Sequence, residues 1–146
     1  MLRFTKRADY GLMAIHYIAF HQADGAVSSK RIAEAFNIPH ELLAKTLQRL
    51  AKNGFIESYN GPKGGYVLSR APAGITVGQV IRALEGPINI VSCFEDLGCR
   101  QFAKCNLRRP VQKIQATITH LLDTMTLAEL MADTIPIPAS ELTATN

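Results

Sequence analysis

Residues 29–68 read SKRIAEAFNIPHELLAKTLQRLAKNGFIESYNGPKGGYVL, and this stretch decides the fold. Ser29 is a good N-cap for a helix over 30–36. Asn37 and Ile38 make a short turn. A second helix over 39–53 has Pro39 at its first position and Gly54 just past its end, the usual proline-in, glycine-out asymmetry. Leu42, Leu43, Leu47 and Leu50 mark its buried side. Two helices joined by so short a turn are a helix-turn-helix. Residues 55–59 read as a strand, 60–65 are dense in turn residues, and 66–69 read as the return strand. A helix-turn-helix followed at once by a Gly-rich hairpin is the winged-helix arrangement.

Outward from this unit the pattern is helical. Before it, Tyr10, Met13, Ala14, Tyr17, Ile18 and His21 fall on one stripe, which predicts a helix over 6–23, closed by Asp24-Gly25. After it, 71–74 is a linker and Thr76 caps a helix through 85, stopped by Gly86-Pro87. Residues 88–108 show no convincing period and read as a loop. A long helix over 109–124 has Pro110 in its first turn, with Val111, Ile114, Ile118, Leu121, Leu122 and Met125 on one side. Thr126 caps a last helix over 127–132, and the tail from 133 is expected to fray. The fold class is therefore mainly α with one small β-hairpin.

The chain has 146 residues, 47% of them hydrophobic and 19% charged, with a net charge of +4. That suits one globular domain and argues against wholesale disorder. The charge is unevenly spread. Residues 1–70 hold ten Lys/Arg and five Asp/Glu, whereas 71–146 hold six and seven. A basic first half is what a nucleic-acid-binding face produces, although a chance surface bias would give the same count. No apolar run nears the roughly 20 residues that span a bilayer, and 1–6 lack a signal-peptide core. The expectation is a cytoplasmic protein with reduced cysteines and no membrane partner.

A helix fits the major groove of double-stranded DNA, so the helix over 39–53 is the candidate reader. His40, Glu41 and Lys45, then Gln48 and Arg49 one turn on, can bond base edges, and Lys45 or Arg49 can instead hold phosphates. An ordinary solvated helix face would look the same. The hairpin decides it: Gly61, Gly64 and Gly65 let backbone approach a partner, and Lys63 is a cation at the tip.

Cys93, Cys99 and Cys105 are the only cysteines, with five residues in each gap. Isolated cysteines pack as small apolar groups, but three within thirteen residues beside several charges point to metal binding. Structural zinc prefers tighter knuckles and four protein ligands. An iron–sulfur cluster is bulkier and tolerates wider gaps. A thiol switch needs no metal at all. On spacing alone all three remain open. Nothing points to an enzyme: there is no Gly-rich nucleotide loop after a strand, no evident Ser/His/Asp set and no His-Glu-x-x-His. His16, His21, His40 and His120 are scattered along helices.

The chain resembles the IscR/NsrR group of bacterial regulators, the Rrf2 family. The resemblance runs from Leu2-Arg3-Phe4-Thr5-Lys6 to about Leu130. It is carried by Leu47-Gln48-Arg49-Leu50-Ala51-Lys52-Asn53-Gly54, the wing Gly61-Pro62-Lys63-Gly64-Gly65-Tyr66, the segments Ile75-Thr76-Val77-Gly78-Gln79-Val80-Ile81 and Leu84-Glu85-Gly86-Pro87, and the three-cysteine loop. It implies a homodimer paired through the long helix, with two wings gripping a pseudo-palindromic operator. It also implies an iron–sulfur cluster, 2Fe–2S or 4Fe–4S, on Cys93, Cys99 and Cys105. In the IscR branch the fourth ligand is a His three residues after the last cysteine. Arg108 stands there and cannot deprotonate to bind iron. In the NsrR branch it is an Asp on the first helix of the other subunit, a position that Asp9 matches. The wing Arg of IscR-like proteins is Asn60 in this chain, and an acidic residue of their recognition helix is Ala44, so the operator sequence is not transferable. On this reading 1–86 is the DNA-binding domain, 87–108 the cluster loop, 109–132 the dimerisation helix with a short terminal helix, and 133–146 a flexible tail.

Overall fold

Thr5 starts the first helix, α1 (Lys6–His21), by accepting the Ala8 N–H at 3.1 Å, and a single 3₁₀ turn, Gln22–Asp24, closes it. The computed structural model describes residues 3–90, 101 and 103–133. Then follow α2 (Ser29–Phe36), α3 (His40–Lys52), β1 (Ile56–Tyr59), β2 (Gly65–Leu68), a 3₁₀ turn at Pro72–Gly74, α4 (Val77–Glu85), α5 (Arg108–Thr124) and α6 (Leu127–Ala132).

The element order matches the sequence expectation, with small shifts that have local causes. The cap of α2 is Ser28, not Ser29; its hydroxyl accepts the Arg31 N–H at 3.1 Å. Pro39 occupies the cap position of α3 rather than the first helical one. The buried row of α3 is Leu43, Thr46, Leu47 and Leu50. Thr46 replaces the expected Leu42, and its hydroxyl is satisfied by donating to the Leu42 carbonyl at 2.9 Å. The 71–74 linker contains a turn of 3₁₀ helix, and α5 starts at Arg108.

One core joins α1, α2, α3, α4 and the base of the hairpin. Ile15, Ile18, Val27, Ile32, Leu43, Leu47, Leu50, Ile75 and Leu84 are completely buried. Each contributes about 1.5–3 kcal/mol by leaving water. Thr76 and Gln79 form a reciprocal capping box at the start of α4, at 3.2 and 3.1 Å. The short terminal helix α6 packs back onto this core: Leu127 is buried, and its N–H donates to the Ile75 carbonyl at 2.8 Å while Val77 N–H donates to Met125 at 2.9 Å.

The wing is an antiparallel pair with Ile56 opposite Leu68 and Tyr59 opposite Gly65. Val27 adds a bridge to Tyr66, with bonds of 2.9 and 2.8 Å. This explains two glycines differently from the sequence reading. A Cβ on Gly65 would overlap the Val27 backbone, and one on Gly64 would overlap the Tyr59 carbonyl. Both are needed for the hairpin's own packing, and only Gly61 sits open at the tip.

Candidate nucleic-acid interface and cysteine segment

Burial of one face of α3 fixes which face is offered to a partner. Leu43, Leu47 and Leu50 point inward, so His40, Glu41, Lys45, Gln48 and Arg49 are exposed. Glu41, Lys45 and Gln48 follow one another at spacings of four and three, a single stripe on the helix. At the wing, Asn60 and Lys63 are exposed beside Tyr59, which is 55% exposed.

The cations of the basic half divide by type. Four of its five arginines make contacts within the fold. Arg70 lies over the Phe55 ring at 4.7 Å and donates to the Gly54 and Asn53 carbonyls at 3.2 and 3.3 Å, pinning the turn between α3 and β1. Arg31 lies over the Tyr17 ring at 5.6 Å. Arg7 and Arg49 both donate to the Leu84 carbonyl, at 3.3 and 2.8 Å. The lysines, Lys6, Lys30, Lys45, Lys52 and Lys63, are exposed. Lys30 and Lys52 were not singled out in the sequence. Both are exposed, Lys30 at the start of α2 and Lys52 at the end of α3.

Arg49, expected to reach base edges or phosphates, also has a partner within the chain. Its Nη1 is committed to the end of α4, a partner 35 residues away that no local spacing announces. The same node takes in the start of α1: the Thr5 hydroxyl donates to Glu85 at 2.7 Å, and Arg7 pairs with Glu85 at 3.8 Å.

Asp9 is exposed on the first turn of α1. Cys105 is half-buried and lines an open concavity of about 450 Å³ with Asn106, Arg108, Arg109 and Gln112. Cys93 and Cys99 lie outside the described residues. Among the described residues no three His, Cys, Asp or Glu side chains gather as a metal site.

Two contacts lock α5 to the rest of the chain. Gln115 accepts the Ile90 N–H at 2.8 Å and donates to the Ile88 carbonyl, clasping the segment that leaves α4. Arg82 on α4 forms a two-pronged pair with Asp123, at 2.9 Å for Nη2–Oδ2. The guanidinium holds the Asp123 carboxyl below the usual carboxylate range. In α1, burial holds the His16 imidazole below its ordinary value, against the raising effect of a hydrogen bond to the Leu130 backbone, and nearby His21 lowers it further.

Among the described residues no helix is long and apolar enough to cross a membrane. The Rrf2 family, described as an iron-dependent transcriptional regulator, matches residues 4–133. The HTH-type transcriptional regulator IscR of Yersinia enterocolitica is 32% identical over 130 residues, 89% of this chain and 79% of that protein. Among solved structures, CymR of B. subtilis, described as the global cysteine regulator, is 34% identical with a TM-score of 0.78, over 92% of this chain and all of that one. T. potens IscR is 30% identical with a TM-score of 0.72, over 93% and 94%. These relatives are regulators of transcription, not enzymes, and the chain belongs to the Rrf2 family of DNA-binding transcriptional regulators.

Proposed function

We propose that two copies of this chain pair through α5 and read a pseudo-palindromic operator under the control of an iron–sulfur cluster. The observation that carries the pairing is α5 itself. Over 17 residues it buries none. Yet Leu107, Val111, Ile114, Ile118, Leu121 and Met125 recur at alternating spacings of four and three, a heptad seam. Leu107, Ile114 and Leu121 are 58%, 51% and 54% exposed. Three large apolar side chains exposed along one seam, alternating with the half-buried Val111, Ile118 and Met125, mark an interface, and an isologous pair covers them with the same row.

Paired helix-turn-helix units read half-sites about one turn of DNA apart. In each copy His40, Glu41, Lys45 and Gln48 are placed to bond base edges, and Asn60 and Lys63 to rest the wing on phosphates or in the minor groove.

The cluster reading assigns Cys93, Cys99 and Cys105 as three ligands and Asp9 of the partner subunit as the fourth. The described donors fit it. Cys105 stands at the rim of an open concavity, and Asp9 lies on the surface where a second chain can reach it. Arg108 and Arg109 line the same concavity as Cys105, cations beside a group that thiolate ligands make anionic. The family description, iron-dependent, supports metal on this set. Bound there, the cluster supplies one-electron redox chemistry. The three cysteines would hold the segment between α4 and α5 in one conformation. Asp9 would tie α1 of one copy to that segment of the other. A coupling of about 1–3 kcal/mol between ligation and DNA binding changes affinity roughly 5- to 150-fold.

Anaerobic purification with an absorption spectrum and iron and acid-labile sulfide assays tests this. The expected result is a brown protein with iron and sulfide in near-equal amounts, whose number per chain separates 2Fe–2S from 4Fe–4S. Cys99→Ala should lose both, and Asp9→Ala should leave a more labile cluster. A colourless protein that iron and sulfide cannot reconstitute would overturn the cluster, leave zinc or thiol oxidation, and leave the DNA reading standing.

A further inference from the structure

The C-terminal turn of α4 is where three helices meet through polar contacts. The last carbonyls of a helix have no intrahelical donor. One of them, that of Leu84, accepts Arg49 from α3 at 2.8 Å and Arg7 from α1 at 3.3 Å. Cations are favoured at this end of a helix. Two residues earlier on the same turn, Arg82 makes its two-pronged bond to Asp123 of α5. Leu84 itself is fully buried, so this end of α4 is anchored in the core. α3 is thus bonded to α4, and α4 to α5, within three residues of chain.

We propose that Arg49 is a positioning residue for DNA reading and not a DNA contact. It fixes α3 to α4, and Arg82–Asp123 fixes α4 to α5. α4 is the strut that sets the reading helix relative to the pairing helix. This rests on the reading that two copies pair through α5 and read two half-sites. In such a pair any rotation of α3 about α4 is applied twice, once per copy. The two reading helices then no longer match one spacing of half-sites.

Phosphate contact and strut predict different results. A lost phosphate contact weakens binding to every sequence and lowers the salt slope by about one. A lost strut leaves the slope alone and blunts the preference for one half-site spacing. The test uses the full chain. The wild type first selects a duplex from a random-sequence pool. Fluorescence anisotropy then measures affinity for that duplex, and for versions with its centre lengthened or shortened by one and two base pairs, across a salt series. Arg49→Gln should bind the selected duplex about fivefold or more weakly, lose less on the altered spacings, and keep the wild-type slope. Asp123→Asn is remote from the reading stripe. It should flatten the spacing profile in the same direction, and it serves if circular dichroism finds Arg49→Gln unfolded. An unchanged spacing profile in the folded variants, with a reduced slope for Arg49→Gln, would overturn the strut alone. A wild type that selects no duplex with paired half-sites would overturn the dimeric reading beneath it, and the strut with it.

Discussion

α3 and α5 are both amphipathic helices, and the molecule treats them oppositely. Over 13 residues α3 buries Leu43, Thr46, Leu47 and Leu50 within its own chain. Over 17 residues α5 has no fully buried residue, although its apolar row is longer. The difference separates a part of the protein that covers its apolar face within its own chain from a part that leaves an apolar row half open, the row proposed to pair with a second copy. The winged-helix core caps α1, α2 and α4 with its own Thr5, Ser28 and Thr76 and buries the apolar face of α3. α5 is attached to that core by Gln115, by the Arg82–Asp123 pair and by Leu122 and Met125 against Ala8, Val77 and Ile81, while Leu107, Ile114 and Leu121 stay more than half exposed.

Substitutions can break or sharpen this contrast. Leu47 is fully buried in the core, so Leu47→Ala should cost about 2–5 kcal/mol of unfolding free energy. A denaturant titration showing under ~1 kcal/mol would mean that the core around α3 collapses easily. Ile114→Lys on the exposed row of α5 should weaken self-association roughly 100-fold, about 2.7 kcal/mol, while leaving the fold intact. Between these lies local helix chemistry. Thr76→Ala removes half of the capping box of α4 and should cost about 1 kcal/mol in a thermal melt, because the Gln79 N–H loses its acceptor.

Smaller effects separate the two faces by charge. Lys63→Ala should weaken DNA binding at all sequences and lower the salt slope by about one, because a phosphate contact releases a counterion. Lys113→Ala, on the exposed surface of α5, should do neither. Equal slopes for both variants would mean that the wing tip does not touch DNA. The weakest effect is titration of His16. Its folded value is lowered by burial, so below about 6.5 the unfolded chain takes up the proton more readily. The stability from neutral His16 is present above that pH and is lost as the pH falls through the lowered folded value. His16→Gln should remove this dependence from a series of melts between neutral and mildly acidic pH.

Much of this was legible in the residues. Period and capping placed every helix, because the apolar faces of α1, α3 and α4 each pack against one core. What escaped was long-range or depended on a single bond. Ser28 and Ser29 are chemically identical caps, and only the turn geometry after Val27 chooses between them. Thr46 looks polar, but its hydroxyl is satisfied within its own helix, so it can be buried like a leucine. The wing glycines read as room for DNA, whereas Gly64 and Gly65 are required by Tyr59 and Val27. Arg49 read as a contact to base edges or phosphates, and a helix pattern cannot also show its bond to a carbonyl 35 residues away. The apolar row of α5 was visible, but that Leu107, Ile114 and Leu121 stay more than half exposed needed the packing. Of the proposed cluster ligands, only Cys105 and Asp9 fall among the described residues, and their proposed roles rest on donor chemistry and family.

The central claim is that the uncovered row of α5 is the pairing surface of a DNA-reading dimer. Sedimentation of the wild type and of Ile114→Lys, each alone and with the selected duplex, tests it most directly. The account predicts a wild-type dimer that binds as two chains per duplex, and a folded Ile114→Lys monomer that loses the paired-site complex. A wild type that sediments as a monomer, or an Ile114→Lys that remains a dimer, would contradict it.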